Sequence, residues 1–134
     1  MEDRVQPRKT MSERIERFED LEAWQQARLQ NYEVGVLTLE DAFKHDFDFK
    51  SQIRRSALSV MNNLAEGFER LAILEKRKFY DYARGSNGEI RSMTYAGEDF
   101  YPQFSAHFQA IRQHSIRIGK LITGLIRSTE QRRA

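Results

Sequence analysis

Apolar residues recur at three- and four-residue intervals through four stretches of the chain, and each stretch predicts a helix. The first runs from about Glu19 to Phe43, with Leu29, Tyr32, Val36, Leu39 and Phe43 on one face. Gly35 inside it costs on the order of 1 kcal/mol relative to alanine. Alternating Asp and Phe over Lys44–Phe49 break the pattern and predict a short connection. A second helix covers about Lys50 to Glu66, with Gly67 placed to end or bend it. The third spans about Glu75 to Asp99, with Phe79, Tyr82, Ser86, Ile90, Met93, Gly97 and Phe100 along one face, a mixture suited to close helix approach. Pro102 marks the next turn. Phe104, Phe108, Ile111, Ser115, Ile118, Ile122 and Leu125 then give the fourth helix the cleanest stripe. The pattern predicts an all-α, antiparallel up-down-up-down four-helix bundle over residues 18–128. Residues 1–17 lack an apolar period and read as a mobile charged arm, and 129–134 read as a basic tail.

The second helix departs from the usual amphipathic form. Ile53, Ala57, Val60, Leu64 and Phe68 make one apolar stripe, and Leu58, Met61 and Ala65 make another beside it. The remaining stripe, Gln52, Ser56, Ser59 and Asn63, is small and uncharged. A surface helix carries charges opposite its apolar arc. This one can be buried nearly all round, which predicts that it sits at the centre of an assembly larger than one chain. Gln52, Ser56, Asn63, Glu66 and Arg70 share a face, and a buried Glu66 needs a cation such as Arg54, Arg55 or Arg70. Gln52, Asn63, Glu66 and Glu89 are therefore expected to form a structural polar network that fixes helix register, with a ligand-facing role as the alternative.

Composition narrows the classes. The chain has 134 residues and no cysteine, which excludes disulfides, thiolate metal sites and cysteine catalysis. No apolar run reaches the roughly 20 residues of a membrane span, so no membrane role and a cytoplasmic setting are expected. The net charge of +2 hides an asymmetry: acids dominate residues 18–48 and Arg and Lys dominate 102–134. That polarity suits either an acidic helix packed on a basic one or a basic surface for a polyanion.

Catalytic and metal-binding patterns are missing. Ala42, Phe104 and Ile111 stand three residues before His45, His107 and His114, so the Glu-x-x-His pairs of a di-iron bundle do not occur. His107 and His114 share a face without a third ligand, and Glu40, Asp41, Asp46 and Asp48 lack the glycine and terminal glutamate of a calcium loop. Gly85-Ser-Asn-Gly88 lies within helical periodicity and lacks a phosphate-loop lysine, and Ser86 has no histidine partner. No enzyme activity, metal or cofactor is expected.

Several runs are similar to a known family. Phe18-Glu-Asp-Leu-Glu-Ala-Trp-Gln-Gln-Ala27, Gln52-Ile-Arg-Arg55, Asn63-Leu-Ala-Glu-Gly67 and Ala83-Arg-Gly-Ser86 followed by Glu89 resemble the four-helix-bundle family encoded by intervening sequences of bacterial 23S ribosomal RNA genes. The resemblance covers about residues 18–127. Met61 stands where that family usually has proline, which predicts a straighter second helix. Leu71-Ala72-Ile73-Leu74 replaces the family's basic, serine-containing turn and loses a helix cap and positive charge. The resemblance implies a homopentamer related to the accessory protein of diversity-generating retroelements, with nucleic acid and a reverse transcriptase as partners. A dimer through the second helix would also satisfy its uncharged surface.

Basic residues carry the remaining functional expectation. Arg54 and Arg55 open the second helix, and Arg70, Lys76, Arg77, Lys78 and Arg84 gather around the start of the third. Arg112, Arg117, Lys120 and Arg127 decorate the fourth, and Arg4, Arg8, Lys9, Arg132 and Arg133 lie at the two ends. Repeated around a symmetric assembly, such charge attracts phosphates. Tyr80, Tyr82, Tyr95 and Tyr101 offer rings either for base stacking or for packing. The expected function is non-enzymatic nucleic-acid binding, RNA favoured by the family's genomic setting. The alternative is a protein-interaction scaffold or accessory subunit.

Overall fold

The computed structural model describes residues 14–132. Its helices are α1 (Glu22–Leu37), α2 (Phe47–Glu69), α3 (Ile73–Phe100) and α4 (Ser105–Gln131), with no strand among the described residues. Short 3-10 turns occupy Phe18–Asp20, Asp41–Phe43 and Pro102–Phe104. Each helix packs against two neighbours: α1 against α2 and α4, and α3 against α2 and α4. Side-chain bonds fix the directions. Ser56 Oγ donates to Glu89 Oε2 at 3.1 Å and Ser59 Oγ meets Ser86 Oγ at 2.7 Å, so α2 and α3 run antiparallel. Arg77 pairs with Glu130 at 2.5 Å while Arg112 pairs with Glu98, so α3 and α4 do too. The all-α up-down bundle expected from the periodicity is the fold.

Burial separates two ways of packing. α4 fills the core with Phe108, Ile111, Ile118 and Ile122, on the stripe expected of it. α1 differs from its expected face. The side chains it buries are Ala23, Ala27, Gln30, Val34 and Leu37. Leu29, Tyr32, Val36 and Leu39 instead lie outside, Tyr32 at 68% and Leu39 at 75% exposure. The helix also ends at Leu37 rather than Phe43. Phe43 enters the core from the following 3-10 turn, stacked on Phe49 and tilted against Tyr101.

The second helix is only partly covered within one chain. Ile53, Ala57, Val60 and Leu64 are fully buried, but Gln52, Arg55 and Asn62 are exposed and Leu58 is half exposed. Within one chain α2 therefore keeps part of its uncharged surface, Gln52, Leu58 and Asn62, in water. Gly67 lies within α2 at a negative φ and does not end it. A Cβ there would sit 2.7 Å from the Tyr80 ring, so Gly67 is a point of close approach. α2 runs through Met61 without interruption, and Asp46 caps its start by accepting from Phe49 N at 3.2 Å. α3 begins after Ala72 with no side-chain cap. α4 extends to Gln131, three residues into the segment 129–134 expected to be a tail. Most of the expected N-terminal arm, and Arg4, Arg8, Lys9 and Arg133, lie outside the described residues.

A polar layer crosses the middle of the bundle. Asn87 and Ser115, both buried, exchange hydrogen bonds between α3 and α4, including Ser115 Oγ to Asn87 Oδ1 at 2.9 Å. Beside them His114 reaches α1 with both ring nitrogens, Nδ1 to Glu33 Oε1 at 2.5 Å and Nε2 to Gln26 Oε1 at 2.7 Å. Gln30 lies between those two α1 positions and is fully buried, with neither amide atom hydrogen-bonded. The acidic and basic ends of the sequence therefore meet in part as α1 on α4, where Arg117 also approaches Glu22 at 3.4 Å. The expected register network is smaller than predicted. Asn63 donates to the Ser59 carbonyl and hydroxyl and Glu89 accepts from Ser56, while Gln52 points to solvent. Glu66 is half exposed and pairs with Arg70 one turn on, so it is not the buried carboxylate expected.

Candidate nucleic-acid interface

Many of the expected phosphate contacts are already engaged within the chain. Arg54 Nε donates to Thr38 Oγ1 at 2.9 Å, joining α2 to the end of α1. Arg70 holds Glu66 at 2.6 Å and lies over the Phe79 ring. Lys76 Nζ donates to the Phe68 carbonyl at 2.6 Å, closing the C-terminal turn of α2. Burial first, and the charge of Arg132 second, hold the Lys76 ammonium below the ordinary lysine range. Arg77 is paired with Glu130 and Asp81. Arg112 is enclosed: its side chain is 14% exposed, its Nε donates to Thr94 Oγ1, and its guanidinium pairs with Glu98. That pairing holds the Glu98 carboxyl below the usual carboxylate range. Arg112 is thus a cross-link between α3 and α4 and not the surface contact expected of it.

Another set of cations stays open. Arg55, Lys78, Arg84, Arg91, Lys120 and Arg127 are exposed and have no carboxylate partner among the described residues. Four of them share one surface. Arg77–Glu130 and Arg112–Glu98 bound the outer seam between α3 and α4. Between these limits, Arg84 and Arg91 follow Arg77 at heptad steps on α3, and Lys120 and Arg127 stand one heptad apart on α4. The acids that bound the seam, Glu98 and Glu130, are both neutralised by arginine, so the open stretch is positive. Arg91 is the member that reading the sequence missed. The heptad step from Arg84 is the signal that would have found it.

The tyrosines divide in the same way. Tyr80 is buried, and burial pushes its phenol up to about 12. Tyr101 donates to Asp46 Oδ2 at 2.5 Å and packs at a tilt against Phe43 and Phe49 in the aromatic cluster. Those two rings are packing groups. Tyr82 and Tyr95 remain exposed.

Residues 19–124, from the turn before α1 to late α4, match the family model described as 23S rRNA-intervening sequence protein. The chain belongs to this family. No curated protein and no solved structure matches it. The 23S rRNA-intervening sequence match takes in Arg84, Arg91 and Lys120 of the seam and leaves Arg127 just beyond it. Among the described residues, no group of three His, Asp or Glu side chains is placed to hold a metal ion, and no helix is long and apolar enough to cross a membrane.

Proposed function

We propose that this 23S rRNA-intervening sequence family member is a non-enzymatic, self-assembling cytoplasmic bundle that binds nucleic acid, RNA before DNA, along the α3–α4 seam. The observation that carries the reading is the strip of Arg84, Arg91, Lys120 and Arg127, open while its bounding carboxylates are engaged. Arginine and lysine without acidic partners release counterions when they meet phosphates, which gives affinity without sequence readout. RNA is preferred because the family's name ties it to a ribosomal RNA gene.

Self-assembly is supported by a different surface. Leu29, Tyr32 and Val36 on α1, Leu39 just beyond its end and Leu58 on α2 leave large apolar side chains in water. A pentamer is the expected form, and in a ring each copy would add its own seam to the total charge. The same apolar face favours the second reading, an accessory subunit whose partner is a protein such as a reverse transcriptase.

Salt-dependent binding to a structured RNA separates the readings. With Arg84, Arg91, Lys120 and Arg127 all changed to alanine, the slope of log affinity against log salt should fall by roughly three. Binding that is absent or indifferent to salt in the unaltered protein would favour the scaffold.

A further inference from the structure

We infer that Tyr95 is a fixed stacking plate for an unpaired base, so that the seam takes nucleic acid with single-stranded nucleotides and not a continuous duplex. The inference rests on the polyanion-binding reading of the seam and adds the class of strand that it selects.

Tyr95 is 56% exposed although it lies in the interior of a long helix. One face of its ring is covered, because the Arg112 guanidinium carbon lies 3.8 Å from the ring centroid. Exposure on that scale therefore comes from the opposite face and the edge. Arg112 cannot swing away easily, being held by Glu98 and by Thr94 Oγ1 at 3.0 Å. Thr94 is itself fully buried and donates to the Arg91 carbonyl. The ring is therefore a flat apolar surface, immobilised from behind and open in front. Such an arrangement loses little side-chain entropy on binding.

Its position selects the ligand. Tyr95 follows Arg91 by one helical turn and Arg84 by three, on the same side of α3. At 1.5 Å rise per residue it stands about 6 Å along the axis from Arg91. A strand whose phosphates lie along the cations can thus lay a neighbouring base on the ring. In a duplex both faces of each internal base are already stacked, and only an unpaired or terminal base offers a free face. The other exposed tyrosines lack this setting. Tyr82 meets Phe79 edge-on at 5.8 Å, and Tyr32 belongs to the apolar face of α1.

The test compares three labelled RNA probes of equal length in low salt: an unstructured single strand, a hairpin with a large loop, and a blunt duplex. The unaltered protein should bind the single strand and the loop more tightly than the duplex. Tyr95→Ala should weaken single-strand binding about 5- to 100-fold and weaken binding of the duplex, which offers the ring only its terminal pairs, much less. Tyr95→Phe should bind as the unaltered protein does. Tyr95→Leu, which preserves apolar contact for the Arg112 stem, should melt normally and still lose the single-strand preference. Single-strand affinity unchanged in Tyr95→Ala, or a preference for duplex, would overturn the inference. The variant lacking the four seam cations separates the two levels. If it loses binding and Tyr95→Ala does not, only the stacking plate fails. If it binds as before, the reading of the seam fails with it.

Discussion

α1 and α4 lie side by side and are built in opposite ways. α4 turns Phe108, Ile111, Ile118 and Ile122 inward and carries Arg117, Lys120 and Arg127 outside. α1 turns Ala23, Ala27, Gln30, Val34 and Leu37 inward and leaves Leu29, Tyr32 and Val36 in water. The first arrangement is complete as a soluble surface. The second divides its large apolar groups, with Val34 and Leu37 in the core and Leu29, Tyr32 and Val36 in water. Ala23 and Ala27 let the start of α1 sit close to the bundle, and its outward residues leave an apolar face in water. One helix therefore keeps its large apolar side chains within the fold, and the other shares them between the core and water.

The sharpest way to break this contrast is to damage each helix on its own side. Ile118→Ala removes a fully buried side chain from α4 and should lower stability by about 3–4 kcal/mol in denaturant unfolding. A loss under 1 kcal/mol would mean that α4 is not the side that fills the core. Val36→Glu should leave the fold intact, since Val36 is half exposed, yet disperse any assembly toward the 15.9 kDa single chain in native mass measurement. An unchanged mass would remove α1 as the contact face.

Smaller effects sharpen the picture. Gln30→Met replaces a buried amide without hydrogen bonds by an apolar chain of similar length, and should raise stability by about 1–2 kcal/mol. A lower melting temperature would show that the amide has a partner. Tyr101 gives a pH signature at the end where α3 turns into α4. The Asp46 carboxylate, then burial, push its phenol up to about 12, above its ordinary value of 10.0. The folded state thus favours the protonated phenol. This contribution is complete below about pH 10 and is lost as pH rises toward 12. Tyr101→Phe should remove one late-ionising tyrosine from the ultraviolet titration and flatten the alkaline fall in stability. Glu66→Gln should change stability by only about 0.3–0.5 kcal/mol, because its pair with Arg70 is an exposed contact one turn apart.

Number, order and approximate limits of the helices were legible because periodicity is a local property. The α4 stripe was legible for the same reason, and Gly97 fulfils the close approach expected of α3: a Cβ there would overlap the Phe108 ring. The inward face of α1 was not legible, since Leu29, Tyr32, Val36 and Leu39 outweigh Ala23 and Ala27 in any apolar count. Which neighbour a helix meets decides its phase, and that is a property of the whole bundle. The surface charge was legible only as a sum. Arg77 and Glu130 are distant in sequence, as are Arg112 and Glu98, and only folding shows which cations are neutralised.

The aromatic cluster has a consequence for how the molecule opens. Phe43, Phe49, Tyr101, Phe104 and Phe108 bring the α1–α2 connection and the α3–α4 connection together at one end, tied by Tyr101 to Asp46. At the other end stand the start of α1, the short turn from Arg70 to Ala72 and the end of α4. Opening should therefore begin there and travel inward. Amide hydrogens beside Phe43 and Phe108 should be the last to exchange with solvent, like the hinge side of a book whose pages part at the free edge.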